Sequence, residues 1–217
     1  MTVQRYGRVG RWFHAGIYLT VLFLLATGWW FVLAGYDHAS PLRALTGRGD
    51  AESHELAGYG MALVIVVWLP FGARGLPRFI RETLRYRKGD GRWLAGFPKA
   101  AFTGRFPHHD GHFDPGQRLA NIVIVLTLGT LVFSGLSMLL LPIGGMLEIH
   151  RWATYAATPV ILGHIVVASG VLPGYRGVWR SMHLGGRLPD DVAERIWPSE
   201  PPAAAAAQPL RQPDRHD

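Results

Sequence analysis

Four histidines stand inside or at the ends of the apolar stretches of this 217-residue chain: His14, His54, His150 and His164. A titratable ring is costly in hydrocarbon, so one in a membrane segment usually has a function. His150 and His164 lie 14 residues apart on one apolar stretch. On a helix this gap is about 21 Å and close to a whole number of turns. One helix would therefore present two imidazoles on the same side, near opposite surfaces of a membrane.

The stretches that carry these histidines are long enough to cross a bilayer. Four nearly uncharged runs occupy residues 12–35, 56–71, 119–141 and 152–172. A span needs roughly 20 residues for ~30 Å of hydrocarbon, which the second run reaches when it is extended back to His54. The sequence predicts an all-α membrane protein, a single membrane domain over residues 1–197. Its four transmembrane helices are expected at about 11–35, 54–72, 117–141 and 149–172.

The distribution of basic residues predicts the orientation of these helices. The loop from Arg74 to Gly116 carries nine Lys and Arg residues, whereas the loops at 36–53 and 142–149 hold only Arg43 and Arg48. Loops rich in Lys and Arg stay in the cytoplasm. Both termini and the long loop are therefore expected inside a bacterial cytoplasmic (inner) membrane. The net charge of +7 then reflects topology and anionic lipids, and no nucleic-acid motif accompanies it.

The long basic loop and the C-terminal tail carry weaker signals. Apolar residues alternate with arginines over about 76–88, which indicates an amphipathic cytoplasmic helix in the headgroup layer, with a plain basic linker as the alternative. The run Phe106 to His112 contains three histidines and an aspartate; a solvated loop is the commoner role of such a run than a metal site. Residues 198–217 are rich in Pro and Ala and are expected to be disordered.

The predicted topology sorts the four histidines into two pairs by depth. His14 and His164 would lie near the cytoplasmic face, and His54 and His150 near the outer face. A lone histidine in a membrane helix is more often a hydrogen-bond partner than a ligand, but two pairs at matching depths favour axial ligation of two b-type haems. Bis-histidine ligation leaves no open position on iron, which suits electron transfer. The absence of cysteine excludes iron–sulfur ligation within this chain.

Several short motifs carry a resemblance to a known family. They are Arg11-Trp12-Phe13-His14, His54 followed by Gly58, Phe113-Asp114-Pro115-Gly116-Gln117-Arg118, and the His150–His164 spacing. With these motifs, over roughly residues 5–197, the chain resembles the cytochrome b (gamma) subunit of membrane-bound respiratory formate dehydrogenases. The broader group is the dihaem cytochromes b, which include membrane subunits of nickel–iron hydrogenases.

The resemblance implies a partner, an acceptor and a quinone site. Electrons would come from an iron–sulfur subunit, and behind it from a molybdenum- or tungsten-containing catalytic subunit. They would pass to menaquinone or ubiquinone beside His164, at a site formed by Asp114, Gly116 and Gln117. The family has asparagine where Asp114 stands, and an ionised aspartate only accepts hydrogen bonds. Asp114 is therefore expected to be protonated, to relay protons, to contact quinone differently, or only to cap the third membrane helix.

The resulting hypothesis is an electron-transfer and quinone-reducing subunit that does not itself oxidise formate. The nearest alternative is a hydrogenase-type or stand-alone quinone-reactive cytochrome b. A remote alternative from another class is a haem-free anchor or transporter, but a transporter would be expected to carry charged residues or broken helices at mid-membrane.

Overall fold

The chain is mainly helical in a computed structural model that describes residues 2–35, 38–109, 111–141 and 143–197. Helices are numbered in chain order. They are α1 (Arg8–Ala34), α2 (Pro41–Thr46), α3 (Asp50–Gly72), α4 (Leu76–Thr83), α5 (Asp90–Thr103), α6 (Pro115–Leu140), α7 (Met146–Ala168), α8 (Arg180–His183) and α9 (Asp190–Ile196). A 3-10 turn, Pro173–Tyr175, precedes α8. Two short strands, β1 (Thr2–Gln4) and β2 (Arg187–Pro189), complete the described part.

Three of these helices are long and apolar enough to cross a membrane by composition: α1, α3 and α6. A fourth candidate is formed by α7 together with the bent segment after it. Hydroxyl side chains inside the helices donate to carbonyls one turn earlier, as Thr20 does to Gly16 at 2.9 Å and Thr127 to Val123 at 2.8 Å. Such internal pairing keeps polar groups satisfied where water is absent.

The first of two compact units, residues 8–85 and 117–165, is a bundle of α1, α3, α6 and most of α7. Side-chain contacts fix the helix directions. Thr27, near the end of α1, reaches His54 near the start of α3, and Ser134, near the end of α6, reaches His150 near the start of α7. Neighbours in sequence are therefore antiparallel, as short connections favour. At mid-length the buried side chains are apolar: Val21, Met61, Ala157 and Ile161.

Among the described residues, the second compact unit comprises 2–7, 86–109, 111–116 and 166–197. Its strands pair antiparallel, with Val3 opposite Leu188. The buried core combines α5, the 3-10 turn, β2 and α9 through Ala101, Tyr175, Leu188, Val192, Ala193, Ile196 and Trp197. Gly174 in the turn lies so close to α5 that an added Cβ would be 2.6 Å from the Ala100 carbonyl oxygen, so a side chain there would clash.

The structure corrects several predicted boundaries. The chain is not purely α-helical, because β1 and β2 form a two-stranded sheet. The predicted amphipathic helix ends at Thr83 rather than 88, because the backbone N–H of Arg87 instead donates to the Asp90 carboxylate that begins α5. The fourth apolar helix ends at Ala168 rather than 172, since Gly170 takes a left-handed conformation (φ +74°) of the kind that terminates helices. The expected disordered tail, 198–217, lies outside the described residues.

Candidate haem-binding sites

His54 and His150 face each other across the bundle. His54 lies in the second turn of α3 and His150 in the second turn of α7. Their ring centres are 6.3 Å apart and the ring planes are nearly perpendicular, at 83°. Both helices begin at the same end of the bundle, so the two rings meet at one depth.

His14 and His164 form a second pair toward the other end. Their ring centres are 6.2 Å apart, with an angle of 56° between the planes. The ring of Tyr18, one turn after His14, lies 5.6 Å from that of His14. The structure thus brings together the histidines that the sequence sorted by depth, and the apolar layer around Met61 lies between the two pairs.

The separation within each pair fits one metal ion held by both rings. A bond from imidazole nitrogen to a transition metal is about 2.0 Å, and the nitrogen lies about 1.1 Å from its ring centre. Two imidazoles on opposite sides of one iron therefore have ring centres roughly 6.2 Å apart. The observed 6.3 Å and 6.2 Å agree with this value. Direct hydrogen bonding between the rings of either pair would bring them closer.

The His54–His150 pair borders a cavity of about 480 Å³, within the usual size range of cofactor sites. Its walls are mainly aliphatic, from Leu24, Leu128 and Leu131 among others. Two glycines stand beside the imidazoles. A Cβ on Gly135 would lie 3.3 Å from Cε1 of His150, and one on Gly28 would lie 3.6 Å from Cε1 of His54. The cavity thus leaves room for a flat apolar group between the two rings.

A buried guanidinium nitrogen near His14 also fits a haem. Arg11 precedes His14 by one helical turn in α1. Its Nε is buried and meets no hydrogen-bond acceptor among the residues that the structure describes. A buried donor of this kind is costly, and a propionate of a haem ligated by His14 would satisfy it.

With this geometry the chain can be compared with known proteins. Residues 5–185 match the model of a family described as prokaryotic cytochrome b561. The chain belongs to the prokaryotic cytochrome b561 family. It is therefore a bacterial membrane cytochrome b that transfers electrons and carries b-type haem. No curated protein matches the chain.

In this cytochrome, Nδ1 of two histidines lies within hydrogen-bond distance of a hydroxyl group. Oγ1 of Thr27 lies 2.7 Å from Nδ1 of His54, and Oγ of Ser134 lies 3.0 Å from Nδ1 of His150. Both hydroxyl residues are buried. Haem-ligating and metal-ligating histidines generally have this second nitrogen hydrogen-bonded. The sequence reasoning missed both residues, although each directly precedes one of the glycines that border the cavity.

The residues expected at the quinone site begin α6 or directly precede it. Asp114 comes immediately before Pro115, the first residue of α6, and is 3% exposed. A Cβ on Gly116 would lie 3.2 Å from Oδ1 of Asp114 and 2.9 Å from the Trp93 ring. Burial raises the pKa of Tyr175, and the charge of nearby Asp114 raises it further. Asp114 and Gly116 belong to the second unit, and Gln117 and His164 belong to the first.

His109 and Arg5 are both buried in the structure. His109 was expected in a solvated loop but is 5% exposed, with its ring 6.4 Å from that of Trp93. Arg5 lies in the N-terminal segment expected on the cytoplasmic side, and it is buried in the second unit. Its guanidinium stacks 4.1 Å above the Trp197 ring and donates to the carbonyl oxygen of His112. Arg5 therefore connects the segment that contains β1 to the rest of the second unit.

Proposed function

We propose that this cytochrome is a dihaem electron-transfer subunit, with one haem b held by His54 and His150 and the other by His14 and His164. The observation that carries the proposal is the ring separation in both pairs, which suits one iron between two imidazoles. When bound, each haem would accept and pass on one electron at a time. The chain's own residues hold the two sites at different depths, and the apolar layer around Met61 and Ala157 keeps water out between them.

The direction of transfer and the donor are carried by the sequence resemblance. The chain would take electrons outside the membrane, at the His54–His150 side, from the iron–sulfur subunit of a formate dehydrogenase. It would deliver them to quinone at the cytoplasmic side, near His164. Formate and hydrogen can each be offered to native membranes while the haem spectrum is followed. Reduction by formate is expected, and reduction by hydrogen alone would replace the formate dehydrogenase assignment with a hydrogenase-type one.

The quinone contact is proposed at the start of α6, where Asp114, Gly116 and Gln117 stand in the family motif. Asp114 is 3% exposed, and burial disfavours the charged form of a carboxyl group, which supports a protonatable group rather than a solvated one. A protonated carboxyl group could donate to a quinone carbonyl, as the amide of the family's asparagine can. The alternative is that Asp114 only caps α6.

Two substitutions separate these roles of Asp114. Asp114→Asn restores the family residue and keeps a hydrogen-bond donor, so quinone reduction is expected to persist. Asp114→Leu removes every polar function and is expected to slow quinone reduction while both haem spectra stay intact. If both variants reduce quinone at the wild-type rate, Asp114 is a helix cap and the quinone contact lies elsewhere.

A further inference from the structure

The His54–His150 site contains the same two-residue motif twice, a hydroxyl residue followed by a glycine. Thr27-Gly28 on α1 faces His54, and Ser134-Gly135 on α6 faces His150. In each copy the hydroxyl meets Nδ1 of the imidazole, and the glycine after it leaves space beside Cε1 of the same ring. The two copies lie on helices that contribute no histidine to this pair. Each ring is thus positioned from a neighbouring helix.

The hydrogen bonds that the two hydroxyl groups donate indicate which group is the donor in each contact with an imidazole. Oγ1 of Thr27 donates to the carbonyl of Phe23 at 3.0 Å, and Oγ of Ser134 donates to that of Thr130 at 2.6 Å. A hydroxyl has one hydrogen, so each oxygen is left to accept from the imidazole. In this arrangement the proton of each ring lies on Nδ1 and the lone pair of Nε2 is free for iron. His150 also hydrogen-bonds to the backbone of Leu131, so its ring has a second partner besides Ser134.

His164 of the second pair differs in this respect. Among the described residues, His164 has no hydrogen-bond partner on either ring nitrogen. Both rings of the His54–His150 pair, by contrast, are held by a buried hydroxyl. The two haem sites of the proposed function therefore differ in the hydrogen bonding of their axial ligands.

From this difference we infer that Thr27 and Ser134 are positioning residues that lower the midpoint potential of the haem at His54 and His150 relative to the haem at His14 and His164. The inference rests on the proposed dihaem function and goes beyond it. An imidazole that donates from Nδ1 becomes a more basic ligand. More electron density at iron stabilises the ferric state more than the ferrous state, so the potential falls. Electrons entering at His54 and His150 would then run downhill toward the His14–His164 side.

The test is a potentiometric titration of the purified full-length cytochrome, with the two haems resolved by their α-bands. Thr27→Val keeps the shape of the side chain and removes the hydroxyl, and Ser134→Ala removes the other. Thr27→Ser keeps the hydroxyl. Thr20→Val is the matched control, because Thr20 on the same helix makes the same bonds to preceding carbonyls but is paired with no imidazole. A His54→Leu variant, expected to lack one haem, assigns the two potentials.

Thr27→Val and Ser134→Ala are each expected to raise the potential of the His54–His150 haem only. At a fixed applied potential the ratio of reduced to oxidised haem should rise by up to about tenfold, which for one electron is about 59 mV. Thr27→Ser and Thr20→Val should leave it unchanged. If Thr27→Val loses the haem altogether, Thr27→Ser is the deciding variant. A wild-type potential of the His54–His150 haem in Thr27→Ser supports the role of the hydroxyl. Loss of that haem in Thr27→Ser as well would overturn the inference.

Failure of this inference can be told apart from failure of the proposed function. If both haems are retained and neither hydroxyl variant moves a potential, the inference is wrong and the dihaem function stands. A shift of the same size in Thr20→Val would likewise overturn the inference. A wild-type preparation without two haems would overturn the dihaem function, and the inference with it.

Discussion

The rings of His54 and His150 stand 6.3 Å apart and almost perpendicular, at 83°, whereas those of His14 and His164 stand at 56°. The angle between axial imidazole planes controls the electronic structure of ferric haem. Perpendicular planes leave two of the iron d orbitals nearly equal in energy, and planes closer to parallel separate them. The two sites should therefore give different electron paramagnetic resonance signals.

We expect the more anisotropic low-spin ferric signal from the haem at His54 and His150. Electron paramagnetic resonance of the oxidised protein, with His54→Leu to remove that haem, checks the assignment. The His14–His164 signal, which is the less anisotropic, should survive in the variant. Loss of the less anisotropic signal in His54→Leu would contradict the ring geometry.

Gly135 should be less tolerant of a side chain than Gly28. A Cβ on Gly135 would lie 3.3 Å from His150, closer than most Cβ contacts allow, whereas one on Gly28 would lie 3.6 Å from His54. Gly135→Ala is thus expected to displace the imidazole and to lower haem retention severalfold, measured as haem per protein after purification. Gly129→Ala on the same helix is the control, since a Cβ there meets nothing within 4 Å. Equal haem content in both alanine variants would show that Gly135 does not position His150.

Arg5 should stabilise the unit that contains both strands. Its buried guanidinium stacks on Trp197 and donates to the His112 carbonyl, so Arg5→Gln is expected to cost about 1–3 kcal/mol of local stability. Hydrogen exchange of β1 and α9 should accelerate, while the haem spectra stay unchanged. Arg8→Gln, at an exposed position, should change neither. Unchanged exchange in Arg5→Gln would remove the proposed stabilising role.

The orientation of the helices is open to a labelling experiment, because the chain has no cysteine. A cysteine in place of exposed Arg48 is expected to react with an impermeant maleimide in intact cells. One in place of exposed Arg81 is expected to react only after the membrane is permeabilised. The reverse pattern would invert the topology, and with it the side at which electrons enter.

The long helices could be predicted from hydropathy, which is a property of single helices. The closeness of His54 to His150 and of His14 to His164 could be predicted because the charge of the loops sets the direction of each helix and so the depth of each histidine. The sequence did not predict α5, in which Gly91, Gly96 and Pro98 weaken helical propensity and in which burial of Trp93 and Ala101 compensates. It also missed the sheet, because three-residue strands carry almost no pattern and form only when β1 meets β2.

Thr27 and Ser134 were missed for a different reason. A hydroxyl in a membrane helix ordinarily bonds its own backbone, and only the neighbouring helix reveals that its oxygen also lies within hydrogen-bond distance of an imidazole nitrogen. A signal was nevertheless present: a hydroxyl residue followed by glycine, Thr27-Gly28 and Ser134-Gly135, near the ends of two apolar stretches. Buried Asp114 could be placed at the start of α6 from the sequence, but its proximity to Tyr175 depends on how distant segments of the second unit pack.

In the proposed function, four histidines hold two haems in two defined pairs. The most direct measurement is a haem count and a reduced-minus-oxidised spectrum of the purified full chain, of His54→Leu, of His14→Leu and of the double variant. We expect two b-type haems per chain, one in each single variant with different spectra, and none in the double variant. A single haem in the wild-type chain, or loss of the same haem in both single variants, would contradict the proposed function.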